Sequence, residues 1–306
     1  MRKFGAFSAV AAAAAVMAPA ALAATPHATV NSHRLNNHHL LMVRQLPRTS
    51  MKAETTLSAA QAAMRPALSF PAPTPSSSPL PIPPAGSSTC PPGQSGGSYC
   101  VGPPVPDTLF ETISTNGTAS EPVTTNGKDT LLVAFVQADG PKTGGQSVTV
   151  SGGGLTWTRD ASQNQGLGDA EVWSATLPRA LSKQMITATA ATKGFDVNLS
   201  IVSFQNASGI GARTTAFSSR GAPSATITTT QPNSWVWASA NDWGGDARRT
   251  VPSGQTAVIQ VLDLTDRKAF WVQTTNNPTA NAGTKVTIND TAPTTDPFNL
   301  ALVEVL

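Results

Sequence analysis

The sequence predicts an all-β protein: a two-sheet, jelly-roll-like β-sandwich preceded by a disordered proline-rich stalk. Three observations predict it. From residue 107 onward, short β-rich runs alternate with Gly, Asn, Asp, Pro and Ser clusters at roughly the 8–12-residue spacing of an all-β domain. No stretch in that region sustains the 3.6-residue apolar period of a helix. All six tryptophans and most of the phenylalanines fall there, in a segment long enough to bury a full core in one sandwich.

The chain divides into four parts. Residues 1–23 read as a secretory signal peptide. Arg2 and Lys3 precede an alanine-rich apolar run, and Ala21-Leu22-Ala23 is the small-x-small pattern before a cleavage site. This places the mature protein outside the cell or on its surface. No later run is long and apolar enough to span a bilayer, so no transmembrane segment is expected in the mature chain. Residues 24–65 form a low-complexity, alanine-containing segment that carries His27, His33, His38 and His39. With no expected scaffold, these histidines are read as incidental rather than as a metal site.

Residues 66–106 are a Pro-rich linker. Proline fixes φ and removes backbone donors, so neither helix nor sheet propagates through it. Cys90 and Cys100 lie inside this linker. In an oxidising compartment they are expected to close a small loop, restricting the unfolded chain by roughly 3 kcal/mol. Residues 107–306 are the folded module.

Within it, strands are predicted at 130–138, 147–150, 155–159, 170–176, 185–190 and 197–204. Six more are predicted at 225–229, 234–240, 257–263, 268–274, 285–289 and 299–305. In the run 198–204, Leu199, Ile201 and Ser203 share one face, and Asn198, Ser200, Val202 and Phe204 the other. The run 130–136 is apolar on both faces, as a central strand should be. Ser151-Gly152-Gly153-Gly154 precedes a strand, not a helix, and so reads as a hairpin turn rather than a phosphate loop.

The formal charge of +3 conceals an acidic module. From Asp107 onward there are thirteen Lys/Arg against sixteen Asp/Glu, a balance of −3. Such a module has no electrostatic footprint for nucleic acid, and neutral partners are expected. It contains no histidine and no cysteine, which excludes from it a Ser-His-Asp triad, a Cys-His pair and a His-ligated zinc.

Three groups of residues remain as candidates. Asp169 and Glu171 alternate along one strand and could project together as a glycosidase-type carboxylate pair, although Asp169 also follows a Gly166-Leu167-Gly168 turn. Asp242 and Asp246, in Asn241-Asp242-Trp243-Gly244-Gly245-Asp246, are candidate ligands for a structural calcium, with Asp263, Asp266, Asp290 and Asp296 as further loop acids. No other cofactor is expected. The third group is aromatic. Trp235 and Trp237 share one face of a strand whose opposite face carries Val236 and Ala238. If the small side faces the core, the two indoles form an exposed platform for sugar rings, with Trp243 beside it and Asn241, Asp242 and Gln273 supplying polar contacts.

The stretch 131–306 resembles a β-sandwich accessory module that recurs in secreted, multi-part proteins of environmental bacteria. The residues that carry the resemblance are Leu131-Leu132-Val133-Ala134-Phe135-Val136 with Asp139-Gly140, Ser151-Gly152-Gly153-Gly154-Leu155-Thr156-Trp157, Ala170-Glu171-Val172-Trp173 and Asn241-Asp242-Trp243. Phe270-Trp271-Val272-Gln273 and Asn289-Asp290-Thr291-Ala292-Pro293-Thr294-Thr295-Asp296 complete it. The resemblance implies a sandwich fold and an extracellular setting; it brings no ligand and no catalytic residue. The sequence is therefore read as a secreted, non-catalytic binding or adhesion module for cell-surface or environmental polysaccharide. The rival readings are a glycan-cleaving hydrolase using Asp169 and Glu171, and a purely structural surface protein.

Overall fold

The computed structural model describes residues 102–306 apart from Thr265, together with the backbone of three short upstream strands. Residues 1–23 and 66–101, most of 24–65, and the Cys90–Cys100 pair lie outside the described residues. The upstream strands are β1 (Ala28–Thr29), β2 (His33–Arg34) and β3 (Met42–Gln45). The module then runs through β4 (Val105–Ser114), β5 (Thr118–Val123), β6 (Asp129–Asp139), β7 (Val148–Gly152), β8 (Thr158–Gln163), β9 (Gly168–Thr176), β10 (Gln184–Ala190) and β11 (Val197–Gln205). Its second half holds β12 (Ile210–Ser218), β13 (Ser224–Thr228), β14 (Trp235–Asp242), β15 (Gln255–Asp263), β16 (Lys268–Thr275), β17 (Lys285–Asn289) and β18 (Phe298–Val305).

The module is all-β, a sandwich of two main sheets with a smaller sheet covering each outer face. The first main sheet has the order β4–β11–β6–β9–β8, and the second β12–β18–β14–β16–β15. A three-stranded cover, β5–β10–β7, packs on the first, and a two-stranded cover, β13–β17, packs on the second. Pairing within the module is antiparallel throughout.

Residue alternation explains the layers. In β6, Leu131, Val133 and Phe135 point into the core between the main sheets, while Leu132, Ala134, Val136 and Ala138 point to the first cover. In β14, Trp237 joins the central core, and Val236, Ala238 and Ala240 join the second cover. A main sheet apolar on both faces needs a partner on both, and two sheets alone would leave half of that surface wet. Each large side chain buried this way contributes about 1.5–3 kcal/mol.

The upstream strands occupy the open edges. β1 and β2 pair antiparallel with β4, and β3 pairs parallel with β15. Residues 24–65, expected to be without a scaffold, thus contribute backbone to both main sheets. The physical reason is that β4 and β15 are the edges of their sheets, with unpaired backbone groups that accept an added strand. Strand positions agree with the sequence reading along most of the module, with three additions. β4, β5 and β12 carry no predicted strand, because their polar and glycine residues break the apolar alternation: Glu121 and Pro122 in β5, and Gly211, Arg213 and Thr214 in β12. The strand predicted at 155–159 lies further on, at Thr158–Gln163.

Candidate functional site

The aromatic platform expected on β14 is not formed. Trp237 is 2% exposed. Its ring stacks on Phe135 at 5.6 Å and meets Phe204 edge-on at 5.4 Å. Trp235, partly buried, packs on the same core and donates its indole N–H to the Thr275 carbonyl at 2.7 Å. The small residues Val236 and Ala238 do face a core, but so do the indoles, because β14 is buried on both faces.

The polar residues assigned to the platform are internal as well. Asn241, Asp242 and Gln273 are fully buried. Asn241 Oδ1 accepts from Asn299 Nδ2 at 3.3 Å. Gln273 donates to Gln255 Oε1 at 2.7 Å and to the Asn289 carbonyl at 3.0 Å, and accepts from Trp271 Nε1 at 3.2 Å.

Trp243 alone of that set reaches the surface against an exposed aromatic neighbour. Its ring lies nearly parallel to Phe217, centroids 6.5 Å apart and planes 15° apart, and Phe217 is 37% exposed. Gly166 makes this possible. It has φ 70° in the β8–β9 turn, and a Cβ there would run into the Trp243 indole. Exposed Gln165 stands beside it, its backbone held by Asn299 through bonds of 3.2 and 2.9 Å.

Asp169 and Glu171 share a face of β9, as the spacing predicts, but that face is turned to the first cover sheet and both side chains are fully buried. Glu171 is held on all sides. One oxygen accepts from the Val148 N–H (3.3 Å), Arg159 (3.3 Å) and Ser162 (3.4 Å), and the other from Trp173 Nε1 (2.6 Å). It pins β7, in the cover, to β8 and β9 in the main sheet.

Asp169 lies next to it, and neither of its oxygens makes a well-formed hydrogen bond. Burial, then the neighbouring Glu171, pushes the Asp169 pKa well above the usual carboxylate range. A pair this enclosed leaves no room for a sugar ring between the carboxylates. Asp169→Asn should therefore leave the melting temperature unchanged or raise it at neutral pH, while Glu171→Ala costs about 1–3 kcal/mol by orphaning its donors. Thermal melts of the two variants check this; a large loss from Asp169→Asn would show that its charge is needed.

The loop acids grouped by the sequence separate into two clusters. Asp242, Asp290 and Asp296 surround the guanidinium of Arg249, which is ion-paired with Asp242 and lies 4.0 Å from Asp290 and 3.7 Å from Asp296. The guanidinium also sits 4.6 Å over the Trp271 ring. Burial lowers the Arg249 pKa to about 10, so it stays charged at neutral pH. The candidate calcium ligands Asp242 and Asp246 do not converge on a common cation position in this geometry. Arg249 fills the cation position, the Asp242 Oδ1 is committed to the N–H groups of Gly244 (3.1 Å) and Gly245 (3.4 Å), and Asp246 joins no convergent acidic group among the described residues.

The second cluster joins two of those loop acids, Asp263 and Asp266, to Asp139 and Asp196, which the sequence did not group with them. Asp139 at the end of β6, Asp196 just before β11, Asp263 at the end of β15 and Asp266 in the β15–β16 turn bring one carboxylate oxygen each to within 4.8 Å of the others. Lys268 Nζ stands among them, 2.5 Å from Asp139 and 3.7 Å from Asp266. Burial lifts the Asp139 pKa to about 7 against the opposing pull of Lys268. Burial and then Asp139 lift Asp196 to about 8. Only the acids at 263 and 266 lie close together in sequence, and nothing local announces that β6 ends where β11 begins.

Comparison with protein-family models, with curated proteins and with solved structures finds no match to this chain.

Proposed function

We propose that this chain is an extracellular, non-catalytic binding or adhesion module that engages neutral polysaccharide at the Trp243–Phe217 surface. The observation that carries the reading is that near-parallel, partly exposed aromatic pair. Aromatic faces stack on the apolar faces of sugar rings, and an adjoining amide such as Gln165 can orient hydroxyls. The weakly acidic module suits an uncharged ligand. The burial of Asp169 and Glu171 favours binding over cleavage. The Pro-rich segment 66–106 and the export signal read from the sequence suit a module held away from a surface.

Retention of the full chain on a panel of insoluble and soluble neutral polysaccharides tests it. The double change Trp243→Ala, Phe217→Ala should weaken retention at least about tenfold, a loss of roughly 1.4 kcal/mol, with the fold preserved by circular dichroism. Unchanged retention would remove this surface from the proposal. Failure of the unmutated chain to bind any member of the panel would favour the structural surface protein.

A further inference from the structure

The acidic group at the rim of the sandwich is placed differently from the Arg249 cluster. Asp139 and Asp196 belong to the first main sheet, and Asp263 and Asp266 to the β15–β16 hairpin of the second. Four carboxylates from two sheets converge, and Lys268 is the cation that meets them. Among the described residues, its ammonium contacts Asp139 and Asp266. A separate observation points to a missing partner. Asp139 has a side chain 1% exposed, and its Oδ1 meets no hydrogen-bond donor, a costly state for a buried carboxylate oxygen.

We propose that Asp139, Asp196, Asp263 and Asp266 form a calcium site that ties the two main sheets together at this end. The donor set is all oxygen and all carboxylate, which selects a hard divalent cation over zinc or copper. Calcium binds oxygen at about 2.3–2.6 Å, so ligands on opposite sides of the ion stand about 4.6–5.2 Å apart. Oxygens gathered within 4.8 Å of one another fit one such sphere. Magnesium requires a tighter octahedron and keeps more of its water. Lys268 is 13% exposed at its side chain and holds the cluster in the calcium-free protein. Calcium displaces its ammonium toward solvent and takes over Asp139. The ion then bridges the two main sheets, which are separate hydrogen-bonded ladders, so its binding is read directly as stability.

The test is a calcium titration of the full chain after chelator treatment, followed by calorimetry and thermal melts. One calcium per chain is expected, with a melting temperature raised by about 5–10 °C at a hundredfold excess over Kd, and a clearly smaller shift with magnesium. Asp196→Asn should abolish the response. Lys268→Met, which keeps all four ligands and removes the competing ammonium, should bind calcium more tightly than the unmutated chain. No heat and no thermal shift at millimolar calcium would overturn the site. A calcium response that persists in Asp196→Asn, or an equal response to magnesium, would overturn the assignment. Because the readout is stability, the result is independent of polysaccharide binding.

Discussion

Trp237→Ala is expected to destabilise the module by about 3–5 kcal/mol, lowering the melting temperature on the order of 10 °C for a domain of this size. The indole fills the centre of the core between the main sheets, stacked on Phe135 and edge-on to Phe204. Phe135 and Phe204 belong to adjacent strands of the first main sheet, and Trp237 reaches them from the second. Its removal therefore opens a cavity where the two layers touch, and strands held in a hydrogen-bonded ladder cannot collapse to fill it. Trp237 Nε1 has no hydrogen-bond partner, so ring packing is the whole of its contribution. Trp237→Phe should accordingly lose much less than Trp237→Ala. Melts of both variants beside Trp243→Ala decide the matter. An unchanged melting temperature in Trp237→Ala, together with lost polysaccharide retention, would restore the exposed platform.

Arg249→Met should cost a comparable 3–5 kcal/mol, through charge rather than volume. Three carboxylates face the guanidinium, and the Asp242 and Asp290 side chains are fully buried. The Trp271 ring supplies the remaining face. Gln260 fixes the backbone of the same residue, accepting from its N–H at 2.7 Å and donating to its carbonyl at 3.2 Å. Without the guanidinium, Asp242 and Asp290 become buried acids with no cation. The Asp290 pKa, already raised to about 7 by burial against the pull of Arg249, would rise further. A carboxylate whose folded pKa exceeds its unfolded value contributes stability below the unfolded pKa and loses it as pH rises through the folded one. The loss in Arg249→Met should therefore be larger at pH 8 than at pH 5. Urea unfolding at the two pH values measures it; equal losses would mean that the acids are already neutral.

Much of the fold was legible in the residue order. The run 130–136 is apolar at every position from Leu131 to Val136, and it lies at the centre of the first main sheet. The alternation in 198–204 is observed in β11, where Leu199 and Ile201 face the cover sheet and Val202 and Phe204 face the central core. Strands such as β12 escaped because an edge strand buries little and its residues need not alternate. The candidate site was less legible. Asp169 and Glu171 do project together, as a period of two requires, yet the period is silent on whether they open to solvent or to another sheet. Trp235 and Trp237 also share a face as expected. The inference that small residues mark the core side failed because a cover sheet packs on small residues as readily as a main sheet packs on large ones.

Alternation along the chain, turn residues and the absence of a helical period were enough by themselves to determine an all-β module and most of its strands, because these depend on a few neighbouring residues. The tertiary structure decided how many layers cover each strand, and with that which aromatic pair stands exposed and which is core. It also decided that Arg249 neutralises one acidic group while Asp139, Asp196, Asp263 and Asp266 meet around Lys268. Those outcomes depend on strand order and on which strand ends coincide in space, and groups far apart in sequence feel one another's charge only after the sheets have closed and water has been excluded.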